Sequence, residues 1–67
     1  MNKLVFKYES KKGNVGSVLQ LYDKNDKPIG YPFYGADADT VLGLTKYINN
    51  IETVVYIDGK EITDGTN

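Results

Sequence analysis

A single stretch of this sequence, residues 37–51, places its apolar side chains at the spacing of an α-helix. They are separated by three, four and three positions, and therefore share one stripe of a 3.6-residue helix. The stripe consists of Val41, Leu44, Ile48 and Ile51. Such a stripe has to face an apolar surface. Because the remaining segments read as short strands, that surface must be a sheet.

The beginning and the outer face of this helix raise the first questions of function. Asp37 and Asp39 suit a helix N-terminus, where a carboxylate accepts free backbone N–H groups, so we read them as caps and not as a metal or acid–base pair. Leu42 lies away from the stripe and is expected on the solvent side. Its neighbour Gly43 lowers helix stability by up to ~1 kcal/mol relative to alanine, and a glycine lets another backbone approach closely. We therefore treat Leu42 as a candidate contact residue.

Four segments alternate between apolar and polar residues, or are rich in β-branched and aromatic residues, as strands are. They are residues 3–8, 17–22, 29–34 and 52–57. Within the third segment, Ile29, Tyr31 and Phe33 are expected on the core side. Because proline cannot donate to a strand ladder, Pro32 restricts the segment to an edge strand or to an irregular extended segment. Asp58-Gly59 is a typical two-residue hairpin turn, so residues 60–63 can add a short final strand.

The predicted fold class is therefore α+β, a small antiparallel or mixed sheet with one helix packed on one face. The element order is β-β-β-α-β, in which the last element is either one strand or a short terminal β-hairpin. The alternative is a β-grasp-like ββαββ arrangement, which requires residues 29–34 to be a connection. A chain of 67 residues forms one domain, and we expect residues 64–67 to be a loose tail.

Composition excludes several kinds of site. The chain contains no cysteine and no histidine, which removes disulfides, thiolate ligands, the commonest zinc ligand and the commonest general base. Serine and threonine stand without an evident activating base, so we expect no catalytic site, no metal and no cofactor. No apolar run approaches the ~18 residues of a membrane span, and the expectation is a cytoplasmic protein that does not contact membranes.

One helix cannot cover both faces of a sheet, and the face it leaves bare is unusually rich in valine and tyrosine. Alternation assigns to it Val5, Val18, Tyr22, Tyr34 and one of two pairs, Val54 with Tyr56 or Val55 with Ile57. Contiguous apolar patches of this kind often mark interfaces, where tyrosine is enriched. Together with Leu42, the first of the two pairs completes the predicted partner-binding set.

These features predict a small non-catalytic protein-binding module. We expect it to form a homodimer or to dock on a larger protein, in the manner of the regulators and inhibitors that phages and mobile elements encode. The alternative is binding of single-stranded nucleic acid or a nucleotide, with Tyr22, Tyr34 and Tyr56 stacking on bases and the N-terminal lysines attracting phosphates. All eight basic residues are lysine. This weakens the alternative, because arginine is the residue that best forms paired hydrogen bonds with phosphate and guanine.

Overall fold

Five strands form one mixed sheet in the computed structural model, which describes residues 3–62. The elements are β1 (Lys3–Glu9), β2 (Val18–Tyr22), β3 (Pro28–Tyr34), α1 (Gly35–Leu44), β4 (Glu52–Ile57) and β5 (Lys60–Ile62). The strand order is β3-β2-β1-β4-β5, in which β1 and β4 are parallel and every other pair is antiparallel.

The predicted fold class is confirmed, and of the two endings considered the structure has the terminal hairpin, β4 with β5. The predicted strands agree with the observed ones within a residue or two. The β-grasp alternative is wrong, because residues 28–34 pair with β2 as a strand. The predicted tail, residues 64–67, lies outside the described residues. No helix between residues 3 and 62 combines the length and the apolar character that crossing a membrane requires.

Local turn chemistry explains why the strands reverse where they do. The Asp23 carboxylate accepts hydrogen bonds from the backbone N–H groups of Asn25 and Lys27, at 2.8 and 3.0 Å, and so closes the β2–β3 turn. At the β4–β5 turn, Asp58 and Gly59 both have positive φ, 51° and 85°. That pair of left-handed residues gives the turn a twist that matches the flanking strands.

β3 contains an irregularity that alternation along the sequence could not reveal. Leu19 pairs with Phe33 and Leu21 with Ile29, so three residues of β3 stand opposite the single residue between the two leucines. Tyr31, in the middle of the three, is 91% exposed, and its predicted core position is wrong. The two additional residues restore the alternation beyond the bulge. Phe33 and Ile29 therefore lie on the predicted side of the sheet, although both are exposed at its edge. Of the two alternatives for this Pro32-containing segment, the structure shows the edge strand.

α1 begins earlier and ends earlier than predicted. It follows β3 directly, because Gly35 adopts a φ of 59° that turns the chain into the helix. The residue at its N-cap is Tyr34, which makes no side-chain capping bond, so the predicted capping by Asp37 or Asp39 is wrong. After Leu44 the chain tightens into a 3₁₀ turn, residues 45–47, so the predicted helical path to residue 51 is also wrong.

This shift changes which side of the helix is buried. Ala38 is fully buried, and with Phe6 and Leu19 it forms the core cluster. Val41 and Leu42, three and four positions further along, pack against that cluster, whereas Leu44 is 53% exposed. The prediction that Leu42 lies on the solvent side is therefore wrong, and Leu42 is not available as an outer contact residue.

Candidate partner-binding surface

The strand pairings bring six of the predicted partner-binding residues onto the side of the sheet opposite α1. Val5 pairs with Tyr22 on one side and with Val54 on the other, and Val18 pairs with Tyr34. Directly paired residues point to the same side of a sheet. We call this surface the helix-free face, formed by Val5, Val18, Tyr22, Tyr34, Val54 and Tyr56. Of the two pairs considered on β4, the structure places Val54 and Tyr56 here.

Exposure differs strongly among these six residues. Val5 is only 8% exposed although no helix covers it, so its neighbours already bury it. Val18, Tyr22, Val54 and Tyr56 are half-buried, and Tyr34 is 53% exposed. Val5 is therefore the floor of the surface, which corrects its prediction as a contact residue, and the tyrosines are the accessible groups around it.

Lys7 crosses the middle of this face. Its Nζ lies 4.5 Å from the centre of the Tyr22 ring and 3.2 Å from Oδ1 of Asp26. A second lysine, Lys12, has its Nζ 3.7 Å from Oε1 of Glu9. These lysines lie beside carboxylates, so the positive charge they offer to a phosphate backbone is largely compensated.

Two shallow depressions, of about 560 and 490 Å³, lie on either side of Lys7 and share it as a wall. The first includes Val5 and Tyr56, and the second includes Val18, Tyr22 and Tyr34. An apolar and aromatic centre with charged residues at its edge is the usual anatomy of a protein–protein contact surface.

A second uncovered surface lies on the opposite side of the sheet. Strands are spaced ~4.8 Å apart, so five strands span roughly 20 Å, whereas one helix with its side chains is only ~10–12 Å wide. α1 packs mainly over β2 and β3, because Gly35 starts it directly at the end of the β3 edge strand. The helix side of β4 and β5 is therefore not covered by α1, and only the connection after α1, which contains Ile48 and Ile51, borders it.

We call this surface the β4–β5 groove, a depression of about 540 Å³. Its lining includes two charged residues, Lys46 and Glu61, and a larger apolar set, among them Leu42, Ile48, Ile51, Val55, Ile57 and Ile62. Sequence reasoning missed this surface because it assigned a whole sheet face to one helix. Two features of the sequence pointed to it. Val55 and Ile57 alternate onto one side of β4, and a sheet of five strands is wider than one helix.

Polar contacts fix the C-terminal end of β1 relative to the other elements. The Asp58 carboxylate accepts hydrogen bonds from the backbone N–H and the hydroxyl of Ser10, both at 2.8 Å. The Tyr8 hydroxyl donates to Oδ1 of Asp39 at 2.6 Å, which joins β1 to α1. That bond raises the pKa of the Tyr8 phenol above its ordinary value, because it favours the protonated hydroxyl.

Two of the carboxylates make stability dependent on pH. The backbone N–H of Ser10, followed by its hydroxyl, holds the pKa of Asp58 below its ordinary value, and the backbone N–H of Lys27 does so for Asp23. A depressed folded-state pKa adds stability above the unfolded value of about 3.9, and that stability is lost as the pH falls through the folded pKa.

We therefore expect the midpoint temperature of thermal unfolding to decrease as the pH is lowered from about 5 to about 3. Circular dichroism measures this temperature. Asp58→Asn is the informative variant, because asparagine keeps an oxygen acceptor and tolerates the φ of 51° but does not titrate. Its midpoint should fall less steeply over the same range. Identical slopes for the two proteins would show that Asp58 contributes nothing to the pH dependence.

Within residues 3–62, no three histidine, cysteine, aspartate or glutamate side chains gather closely enough to hold a metal ion. Comparison with known protein families, with characterised proteins and with solved structures finds no match to this chain.

Proposed function

We propose that this protein is a small non-catalytic protein-binding module whose helix-free face docks on a larger protein. The observation that carries the proposal is the strand register, which gathers six valine and tyrosine side chains on a sheet face that α1 does not cover. A chain that binds in this way acts by occupying its partner's surface, which suits a regulator or inhibitor.

The shape and chemistry of the face favour a protein partner. Its tyrosines project from a hydrogen-bonded sheet, so little conformational entropy is lost when they are fixed in a complex. Tyr34 and Tyr56 border the two depressions beside Lys7 and present both an aromatic ring and a hydroxyl. Tyrosine is among the residues that most often dominate binding energy when they lie at the centre of an interface.

Single-stranded nucleic acid is the second candidate ligand, since Tyr22, Tyr34 and Tyr56 share this face with lysines such as Lys3 and Lys7. Against it stands the ion pair between Lys7 and Asp26 at 3.2 Å. Binding to phosphates would weaken steeply as salt is added. Titration with labelled oligonucleotides at low and moderate salt tests nucleic-acid binding. A titration that shows no binding at low salt excludes it.

The protein-binding proposal is tested by Tyr56→Lys, which places a second cation beside Lys7 at the centre of the face. We expect at least tenfold weaker binding to the partner recovered from the native source, consistent with the loss of a tyrosine that anchors an interface. The measurement is affinity capture with quantitative mass spectrometry, followed by titration of the recovered partner.

The matched control is Tyr47→Lys, the same substitution at a tyrosine that is 70% exposed and follows α1 in the 3₁₀ turn. It should retain the partner. Equal retention by both variants, or equal loss in both, would contradict the assignment of the contact to the helix-free face.

A further inference from the structure

The second depression on the helix-free face has an aromatic side chain at each end. Tyr22 is the last residue of β2, and Tyr34 pairs with Val18, the first residue of β2. Residues 18 and 22 are four positions apart in the strand, which separates the two tyrosine positions by roughly 13 Å. Val15 and Pro32 add apolar surface to the same lining. A segment that contacts both tyrosines must therefore be extended over several residues.

Such a segment cannot be held by pairing with the strands beneath it. β2 is already paired on both sides, with β1 and with β3. The outer edge of β3 is also a poor template for strand addition, because Pro28 and Pro32 have no N–H group and a bulge interrupts the strand. Side chains must therefore supply the contacts.

The side chains of this depression offer aromatic rings and hydrogen-bond donors. The hydroxyls of Tyr22 and Tyr34 can donate, and so can the ammonium group of Lys12. Glu9 contributes the carboxylate of the lining, and its Oε1 lies 3.7 Å from Nζ of Lys12. Nε2 of Gln20 donates at 3.2 Å to the carbonyl of Ile29, within the sheet. The fitting ligand therefore has apolar rings and unpaired carbonyl oxygens.

A proline-rich segment in the polyproline II conformation has both properties. It has no internal hydrogen bonds, so its carbonyls can accept from side-chain donors, and its prolyl rings pack against aromatic side chains. It is also rigid before it binds, so little conformational entropy is lost. That matters here, because a shallow depression of about 490 Å³ buries little surface.

We propose that a proline-rich segment of the larger protein binds along this depression, an inference that rests on the proposed function of the helix-free face. Roughly five residues of the segment, at ~3.1 Å per residue, reach from Tyr22 to Tyr34. The prolyl rings lie against the two tyrosines, and the carbonyls of the segment accept hydrogen bonds from the tyrosine hydroxyls.

A synthetic decaproline, acetylated and amidated at its ends, is the probe for this inference. We expect saturable chemical-shift changes in the amide NMR spectrum of the isotopically labelled full chain, largest at residues 18–22 and at Tyr34. The matched control is a glycine–serine peptide of the same length, which presents carbonyls without prolyl rings and without rigidity. It should cause no saturable change at the same millimolar concentration.

Tyr34→Ala should weaken decaproline binding at least about fivefold, because it removes both the ring and the hydroxyl at one end of the depression. Tyr34→Phe keeps the ring and should weaken binding less. Tyr34 is 53% exposed and makes no side-chain capping bond, so both variants should fold normally, which circular dichroism checks. Tyr47→Ala, in the 3₁₀ turn after α1, should bind like the unaltered chain.

Three results would overturn the inference: no shift changes with millimolar decaproline, equal changes with the glycine–serine peptide, or binding that Tyr34→Ala does not weaken. The proposed function is tested separately, through the effect of Tyr56→Lys on the recovered partner, and Tyr56 lines the other depression. If Tyr56→Lys loses the partner but decaproline does not bind, the inference fails and the proposed function stands.

Discussion

Leu19→Ala is expected to cost more stability than any other single substitution considered for this protein. Leu19 is 0% exposed, lies in β2, and forms the core cluster with Phe6 and Ala38. Truncating a buried leucine to alanine costs about 2–5 kcal/mol, and the cost is highest where the surroundings cannot collapse into the cavity. Domains have total stabilities of only about 5–15 kcal/mol, with small ones at the low end. A large fraction of the variant should therefore be unfolded at 37 °C.

Urea titration followed by circular dichroism measures this loss as a shift of the unfolding midpoint. The matched control is Leu44→Ala, the same truncation at a leucine that is 53% exposed. We expect the control to change stability by less than about 0.5 kcal/mol, as surface substitutions do. Similar midpoint shifts for the two variants would contradict the position of Leu19 in the core.

Ala38→Leu is expected to have the second largest effect, in this case through overpacking. Ala38 is 0% exposed and is the residue through which α1 rests on Phe6 and Leu19. A side chain three carbons larger has no space there, so the helix must move away from the sheet or distort, at a cost of about 1–3 kcal/mol. Urea unfolding of the purified variant measures this cost.

The control for this substitution is Ala36→Leu, two positions earlier on the same helix and exposed to solvent. Alanine and leucine have similar helix propensities, so the control isolates packing from helix formation. We expect it to retain nearly full stability. If Ala38→Leu is as stable as Ala36→Leu, α1 does not pack on the sheet through Ala38.

The strands were predictable from the sequence because their signals are local. Alternation of apolar residues sets the buried side of a strand, and residues with a preference for turns, such as Asp58 and Gly59, set its ends. Residues 52–57 were predicted with the observed bounds of β4 for this reason. Val18, Tyr22 and Tyr34 lie on the side that alternation predicted, and Val5 lies on that side but is buried there. On β4 alternation left two pairs open, and the structure selects Val54 with Tyr56.

The helix was less predictable, because its position depends on two backbone features that periodicity does not report. Gly35 turns the chain directly from β3 into α1, and the chain tightens into a 3₁₀ turn after Leu44. As a result Leu42, which was predicted to face solvent, packs against the core cluster, and Leu44, which was predicted in the buried stripe, is exposed. Tyr31 was misplaced for a related reason, because a bulge depends on pairing with the neighbouring strand.

The sequence by itself determined the α+β class, the element order of the leading prediction, and the face on which β1 and β2 present their valines and tyrosines. These properties follow from the geometry of one strand and one turn at a time. Only the tertiary structure decided that β4 lies parallel to β1, that α1 covers the β3 side of the sheet, and that the β4–β5 groove is open. Those properties depend on which distant segments pair and on how much of a 20 Å sheet one 10 Å helix can cover, and no local pattern contains that information.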